Sequence, residues 1–159
     1  MKASLQNRGF DNLDQTILEE LQANGRISVA DLARKIHLSQ PAVHNRIKRL
    51  EREGIIQQYV ALLDHEQVGY DMLAFIQLTF SQHTPKLTAG LLKLIESQVR
   101  VLECHQITGE ADLLLKVITE NRQALANVVA QLTECDEVQR VQTSLVLSSS
   151  KMTTQISLD

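Results

Sequence analysis

The 159 residues predict an α+β protein, with a helical N-terminal third followed by two strand-helix-strand units. Three observations lead there. Apolar residues recur at helical spacing through the first fifty positions. Short runs rich in β-branched and aliphatic residues take over after residue 71, and helical stripes reappear between those runs.

Taken in order, Leu13, Ile17, Leu18 and Leu21 mark a first helix from about Asn12 to Ala23, closed by Asn24-Gly25, residue types that tolerate positive φ. Ser28 then precedes Val29, Leu32, Ala33 and Ile36, with Asp31 three positions on. That spacing suits a capping arrangement and predicts a second helix over about Val29 to Ile36. After His37-Leu38, Ser39 caps a third helix that ends at Gly54, and Pro41 falls in its first turn, where a missing N–H costs little. Ile55 to Leu63 is rich in Ile, Tyr, Val and Leu and too short for a robust helix, which predicts a two-stranded wing. Residues 1–64 therefore read as a winged helix-turn-helix, and His65 to Asp71, with Gly69, as a linker.

Behind the linker, Met72 to Ser81 reads as a strand, Leu87, Leu91, Leu94 and Ile95 as a helical stripe, and Val99 to Ile107 as a second strand. The order repeats with Leu113 to Thr119, a helix marked by Leu125, Val128, Val129 and Leu132, and a last strand from Val138 to Leu147. The sum is β-α-β-β-α-β, a ferredoxin-like domain over 72–151 with a tail at 152–159. Both helices of such a domain cover one sheet face. The first strand is apolar on both sides, with Met72, Ala74, Ile76, Leu78 and Phe80 on one and Leu73 and Phe75 on the other; Leu113, Leu115 and Val117 likewise oppose Leu114 and Ile118. The second face is thus expected to be covered, most simply by another copy in an isologous homodimer.

Composition excludes several functions. Hydrophobic residues at 43% and charged residues at 22% are globular usage, not that of a disordered chain. Met1 to Phe10 lacks the basic, apolar, small-residue order of a signal peptide, and no apolar stretch is long enough to span a bilayer. The expected location is the cytoplasm, with no membrane partner. Cys104 and Cys135 are far apart and in no metal-ligand spacing, so they read as reduced core residues; Cys104-His105 would point to opposite faces of one strand. His65 and His83 read as exposed loop residues. Neither a metal nor a cofactor is expected. The chain has no Ser/His/Asp grouping, no Walker-type phosphate loop and no paired acid and base in one segment, which argues against an enzyme.

The net charge of -3 conceals segregation. From Arg34 to Arg52 six cations, Arg34, Lys35, Arg46, Lys48, Arg49 and Arg52, face Glu51 alone, whereas from His65 onward seven Lys and Arg stand against eleven Asp and Glu. A compact basic patch in an acidic chain points to a phosphate-bearing partner, double-stranded DNA. On the third helix, at 100° per residue, Val43, Ile47 and Leu50 share a narrow arc; Pro41, Asn45, Lys48 and Arg52 lie opposite, flanked by His44 and Arg49. Gln40, His44, Asn45 and Lys48 are placed to reach base edges, Arg46, Arg49 and Arg52 to hold phosphates, and Ser39 at the head of the helix completes the DNA-binding set.

A second candidate site is the run Ile107-Thr108-Gly109-Glu110-Ala111-Asp112 between two strands. Gly109 permits a tight turn that exposes backbone N–H groups for a carboxylate, and Asp112 can meet an amino group, so Thr108, Gly109, Glu110, Ala111 and Asp112 suit the two charged ends of an amino acid. Thr143 and Ser144 on the last strand are weaker candidates for the same pocket.

The run Leu13-Asp14, Asn24-Gly25-Arg26, Leu32-Ala33, Leu38-Ser39, Val43, Arg46-Ile47-Lys48-Arg49-Leu50-Glu51 and Gly54-Ile55-Ile56 resembles the Lrp/AsnC, or feast/famine, transcription regulators. The resemblance covers about Asn12 to Lys151. It implies a ligand-sensing second half with a Gly-x-x-Asp loop, matched by Gly109 and Asp112, that takes amino acids or related metabolites at contacts between dimers. Many members carry an aromatic residue where this chain has Ala111, which leaves the site less enclosed. The reading is a sequence-specific regulator whose assembly into dimers, tetramers or octamers responds to a small metabolite. The alternative is an effector-independent protein that wraps DNA.

Overall fold

The structure, a computed structural model, describes residues 9–81 and 85–158, the side chains of 85–88 excepted. It divides into two compact units. One takes the chain up to Ala61 together with the residues from Lys151 on; the other is Leu62–Ser150.

The first unit holds α1 (Asn12–Ala23), α2 (Val29–Lys35) and α3 (Gln40–Arg52). Each begins at a side chain that satisfies an otherwise unpaired amide: Asp11 accepts from the N–H of Asp14, Ser28 from Asp31 and Ser39 from Ala42. Asp11 and Asp14 complete a reciprocal capping box. Helix α1 ends at Asn24 in an extended conformation, φ -148°, not at a positive-φ residue. Helix α2 stops where His37 turns to φ 56° and the Leu38 N–H reaches back to the Ala33 carbonyl at 3.0 Å. Helix α3 stops the same way, with Gly54 at φ 70° and the Ile55 N–H bonded to the Leu50 carbonyl at 2.9 Å. These terminators send Leu38 and Ile55 into the same core as Phe10, Ile17, Leu18, Leu32, Ala33, Ile36, Val43 and Leu50.

The expected wing is not formed. Residues 57–63 run without pairing, and Tyr59, Val60, Leu62 and Leu63 are exposed. The physical reason is in the sequence: a hairpin needs a turn between its two runs, and no Gly, Asn, Asp or Pro interrupts residues 55–63.

The second unit contains β1 (Met72–Phe80), α4 (Pro85–Ser97), β2 (Val101–Gln106), β3 (Leu113–Thr119), α5 (Arg122–Thr133) and β4 (Val138–Leu145). The strands form one antiparallel sheet in the order β2-β3-β1-β4, the ferredoxin-like arrangement. Ala74, Ile76 and Leu78 of β1 and Leu113, Leu115 and Val117 of β3 pack with Leu91, Ile95, Leu125, Val128 and Leu132 of the helices. The side chain of Leu87 and the whole of His83 lie outside the described residues. Cys104, expected in the core, is exposed because β2 is an edge strand whose residues 102–106 are all open; Cys135 is half-buried against the core. His65, expected exposed, is half-buried, with Nδ1 2.7 Å from the Tyr70 carbonyl.

Candidate nucleic-acid interface and effector pocket

Helix α3 sorts its side chains by depth. Val43 and Leu50 are completely buried and Ile47 packs against the same core, so the helix is anchored by its aliphatic side. Ser39, Gln40, His44, Asn45, Lys48 and Arg52 are exposed on the opposite side. Lys48 pairs with Glu51 at 2.9 Å, the contact chiefly responsible for holding the Glu51 carboxyl below its ordinary pKa, and Arg52 lies 3.6 Å from Glu53. Both pairs are solvated, hold their partners weakly and leave the cations available to a phosphate.

Arg46 and Arg49 differ. The Arg46 guanidinium donates to Asp11 at 2.8 Å and to Asp14 at 2.7 Å, and Asp14 is 1% exposed. Hydrogen bonding to Arg46 holds the Asp11 carboxyl below its ordinary value, and the two carboxylates push Arg46 up. Arg49 donates to the Gly9 carbonyl at 2.6 Å and stacks 4.6 Å over the Phe10 ring. These two arginines, expected from the charge pattern to hold phosphates, are tied to the segment that opens α1. What the sequence reading lacked was the buried partner: Asp14 sits in a charged, helix-favouring stretch and carries no local sign that it faces inward.

The loop between β2 and β3 is built around Asp112. Its N–H donates to the Leu78 carbonyl at 2.8 Å, its carbonyl accepts from Ile107 at 3.0 Å, and its carboxylate accepts the Phe80 N–H at 2.8 Å. Asp112 thus fastens the loop to β1. Gly109 turns at φ 123°, a conformation that favours glycine, with Thr108 and Glu110 exposed beside it and Ala111 buried.

On the sheet face not covered by helices, Gln77, Thr79, Glu110, Ala111, Arg140 and Gln142 line a shallow open depression. Of the expected effector residues it gathers Glu110 and Ala111. Thr108 and Gly109 remain on the loop, and Thr143 and Ser144 sit one and two positions further along β4, opposite Ile76 and Phe75. Gln77, Thr79, Arg140 and Gln142 were missed by sequence reasoning. Gln77 pairs with Gln142 and Thr79 with Arg140 across β1 and β4, a register that joins positions more than sixty residues apart. The depression presents a guanidinium, a carboxylate, two amides and a hydroxyl, the groups that recognise a small zwitterion. Among the described residues no three His, Cys, Asp or Glu side chains are grouped to hold a metal ion, and no helix is long and apolar enough to cross a membrane.

Comparison with known proteins bears on both regions. Residues 10–57 match winged helix-turn-helix DNA-binding domains, and residues 73–156 match the Lrp/AsnC ligand binding domain. The chain is 32% identical over 124 residues to the leucine-responsive regulatory protein of Escherichia coli, covering 78% of this chain and 76% of that one. It is 29% identical over 151 residues to the HTH-type transcriptional regulator FL11 of Pyrococcus furiosus, covering 92% and 95%. A transcriptional regulator of Neisseria meningitidis solved with L-Met superposes with a TM-score of 0.89 at 33% identity, over 94% of this chain and 97% of that one. A feast or famine regulatory protein of M. tuberculosis solved with L-methionine does so with 0.81 at 28%, over 92% and 97%.

Proposed function

The chain belongs to the Lrp/AsnC family of DNA-binding transcription regulators, proteins that are not enzymes, and on that premise we propose that it is a sequence-specific regulator addressed by an amino acid. The observation that carries the DNA-reading half is the sorting of α3: its aliphatic side is anchored, Arg46 and Arg49 are engaged within the unit, and Gln40, His44, Asn45, Lys48 and Arg52 face outward. In this reading the exposed amide and imidazole groups meet base edges in the major groove, and Lys48 and Arg52 meet phosphates.

The effector is an amino acid or a related small metabolite held in the depression, its carboxylate on Arg140 and its amino group on Glu110. Supporting it are the opposite charges on that one surface and the methionine complexes of the two structural relatives. Asp112 fixes the loop and Gly109 gives it its turn. The remaining open sheet face carries Phe75, Leu114 and Ile118, half-buried in the single chain, and we read it as the contact of a homodimer that assembles further into tetramers or octamers in the cytoplasm. Ligand binding then shifts assembly, and with it the spacing at which several recognition helices meet DNA.

The test is thermal unfolding of the full chain against each of the twenty amino acids. One or more should raise the midpoint of the wild type in a concentration-dependent way, as a ligand that binds only the folded state must, and Arg140→Ala should abolish that rise without lowering the midpoint of the free protein. A ligand that stabilises the variant equally places the pocket elsewhere.

A further inference from the structure

Residues 155–158 fold with α1 and the core it belongs to. Gln22, on the final turn of α1, uses its side-chain amide as a short piece of strand: Nε2 donates to the Ile156 carbonyl at 3.0 Å, and Oε1 accepts the Ile156 N–H at 2.7 Å. The Gln22 backbone carbonyl, one of the helix-end acceptors with no partner inside the helix, accepts from the Gln155 side chain at 3.3 Å. Two residues further on, Leu158 packs against the core formed by α1, α2 and α3. The Ile156 side chain points to solvent, 70% exposed, so what Gln22 reads is the extended backbone and what the core takes is the leucine.

We propose that residues 151–158 are a docking segment whose binding site is the C-terminal end of α1, so that the DNA-reading unit is assembled from two stretches of chain on either side of the sheet unit in sequence. The occupant is the chain's own C-terminal segment. Its chemistry is that of an extended peptide recognised by main-chain hydrogen bonds and one apolar anchor two residues beyond the bonded position. Five residues separate the segment from the last residue of β4. The recognition unit is therefore connected to the sheet through two segments of chain, one before β1 and one after β4, and the second ends on the helix that buttresses α3.

Hydrogen exchange on the full chain tests this, with the wild type compared against Gln22→Ala, Leu158→Asp and a truncation after Ser150. Amides of residues 15–24 should exchange at least tenfold faster in the truncation and in Leu158→Asp, and about threefold faster in Gln22→Ala, while the amides of β1 and β3 keep their protection. Should the truncated protein not fold, the two full-length variants decide alone. Tryptic cleavage after Lys151 gives an independent reading, since a docked segment resists it: the Leu158→Asp protein should be cut there at least tenfold faster than the wild type. Unchanged exchange across residues 15–24 in both point variants, or equal cleavage at Lys151 in the wild type and Leu158→Asp, would overturn the proposal.

Discussion

The two units both bury apolar cores but treat charge differently. The sheet unit is held by an aliphatic core, with Leu78, Leu91, Leu115 and Leu132 essentially inaccessible, and it carries its charged groups on surfaces. The helical unit puts charge inside: Asp14 is 1% exposed and is held by Arg46 at 2.7 Å. A small unit has little apolar surface to bury, and a capping box locked by an arginine from another helix supplies order in its place. The lesson is that a cluster of like charges in a sequence is not one surface. Of the four cations on α3, Arg46 and Arg49 build the helix-turn-helix and Lys48 and Arg52 face outward from it.

The largest effect expected from that division is on stability. Arg46→Ala leaves the buried Asp14 with only the longer 3.9 Å contact to Arg49 and should cost about 3 kcal/mol, the lower end of the penalty for breaking a buried pair. In a denaturant titration followed by hydrogen exchange, the helical unit should open at lower denaturant while the sheet unit keeps its midpoint. A loss shared equally by both units would erase the contrast.

Next comes discrimination. Asn45→Ala removes an exposed amide that contributes nothing to the core, so the fold should persist while the preference for a selected duplex over one changed at the contacted base falls by about 1–3 kcal/mol. Competition binding at fixed salt measures it, and an unchanged preference would take Asn45 out of the base-reading set.

The smallest effect is on pH dependence. Asp11 has its folded pKa depressed below its ordinary value of 3.8, chiefly by hydrogen bonding to Arg46, so its stabilising contribution is complete above that value and is lost as the pH falls through the lower folded one. Acid titration of the wild type should therefore release the helical unit below about pH 4, and Arg46→Gln should weaken that pH dependence. An identical acid profile in the variant would show that the pair does not set it.

How much of this was legible follows the same line. Helix spacing and caps are local, so α1, the Ser28 and Ser39 caps and the apolar arc of α3 could be read directly, and the succession of strands and helices in the second half followed from apolar runs such as Met72–Phe80 and Leu113–Thr119. What depends on pairing between distant positions could not. The partnership of Arg46 with Asp14, the joining of Gln77 to Gln142 and Thr79 to Arg140, and the return of Leu158 to the first core all require a register or a crossing that no local spacing encodes. The wing was expected from the β-rich composition of Ile55 to Leu63 and its shortness as a helix, and the missing turn residues were the stronger signal.

The most direct test of the central claim is the salt dependence of binding to one selected duplex, compared between the wild type and Lys48→Ala/Arg52→Ala. If these two cations hold phosphates, the slope of log affinity against log salt should shrink by about two for each helix-turn-helix unit engaged. Parallel lines for the two proteins would mean that the exposed side of α3 does not meet DNA.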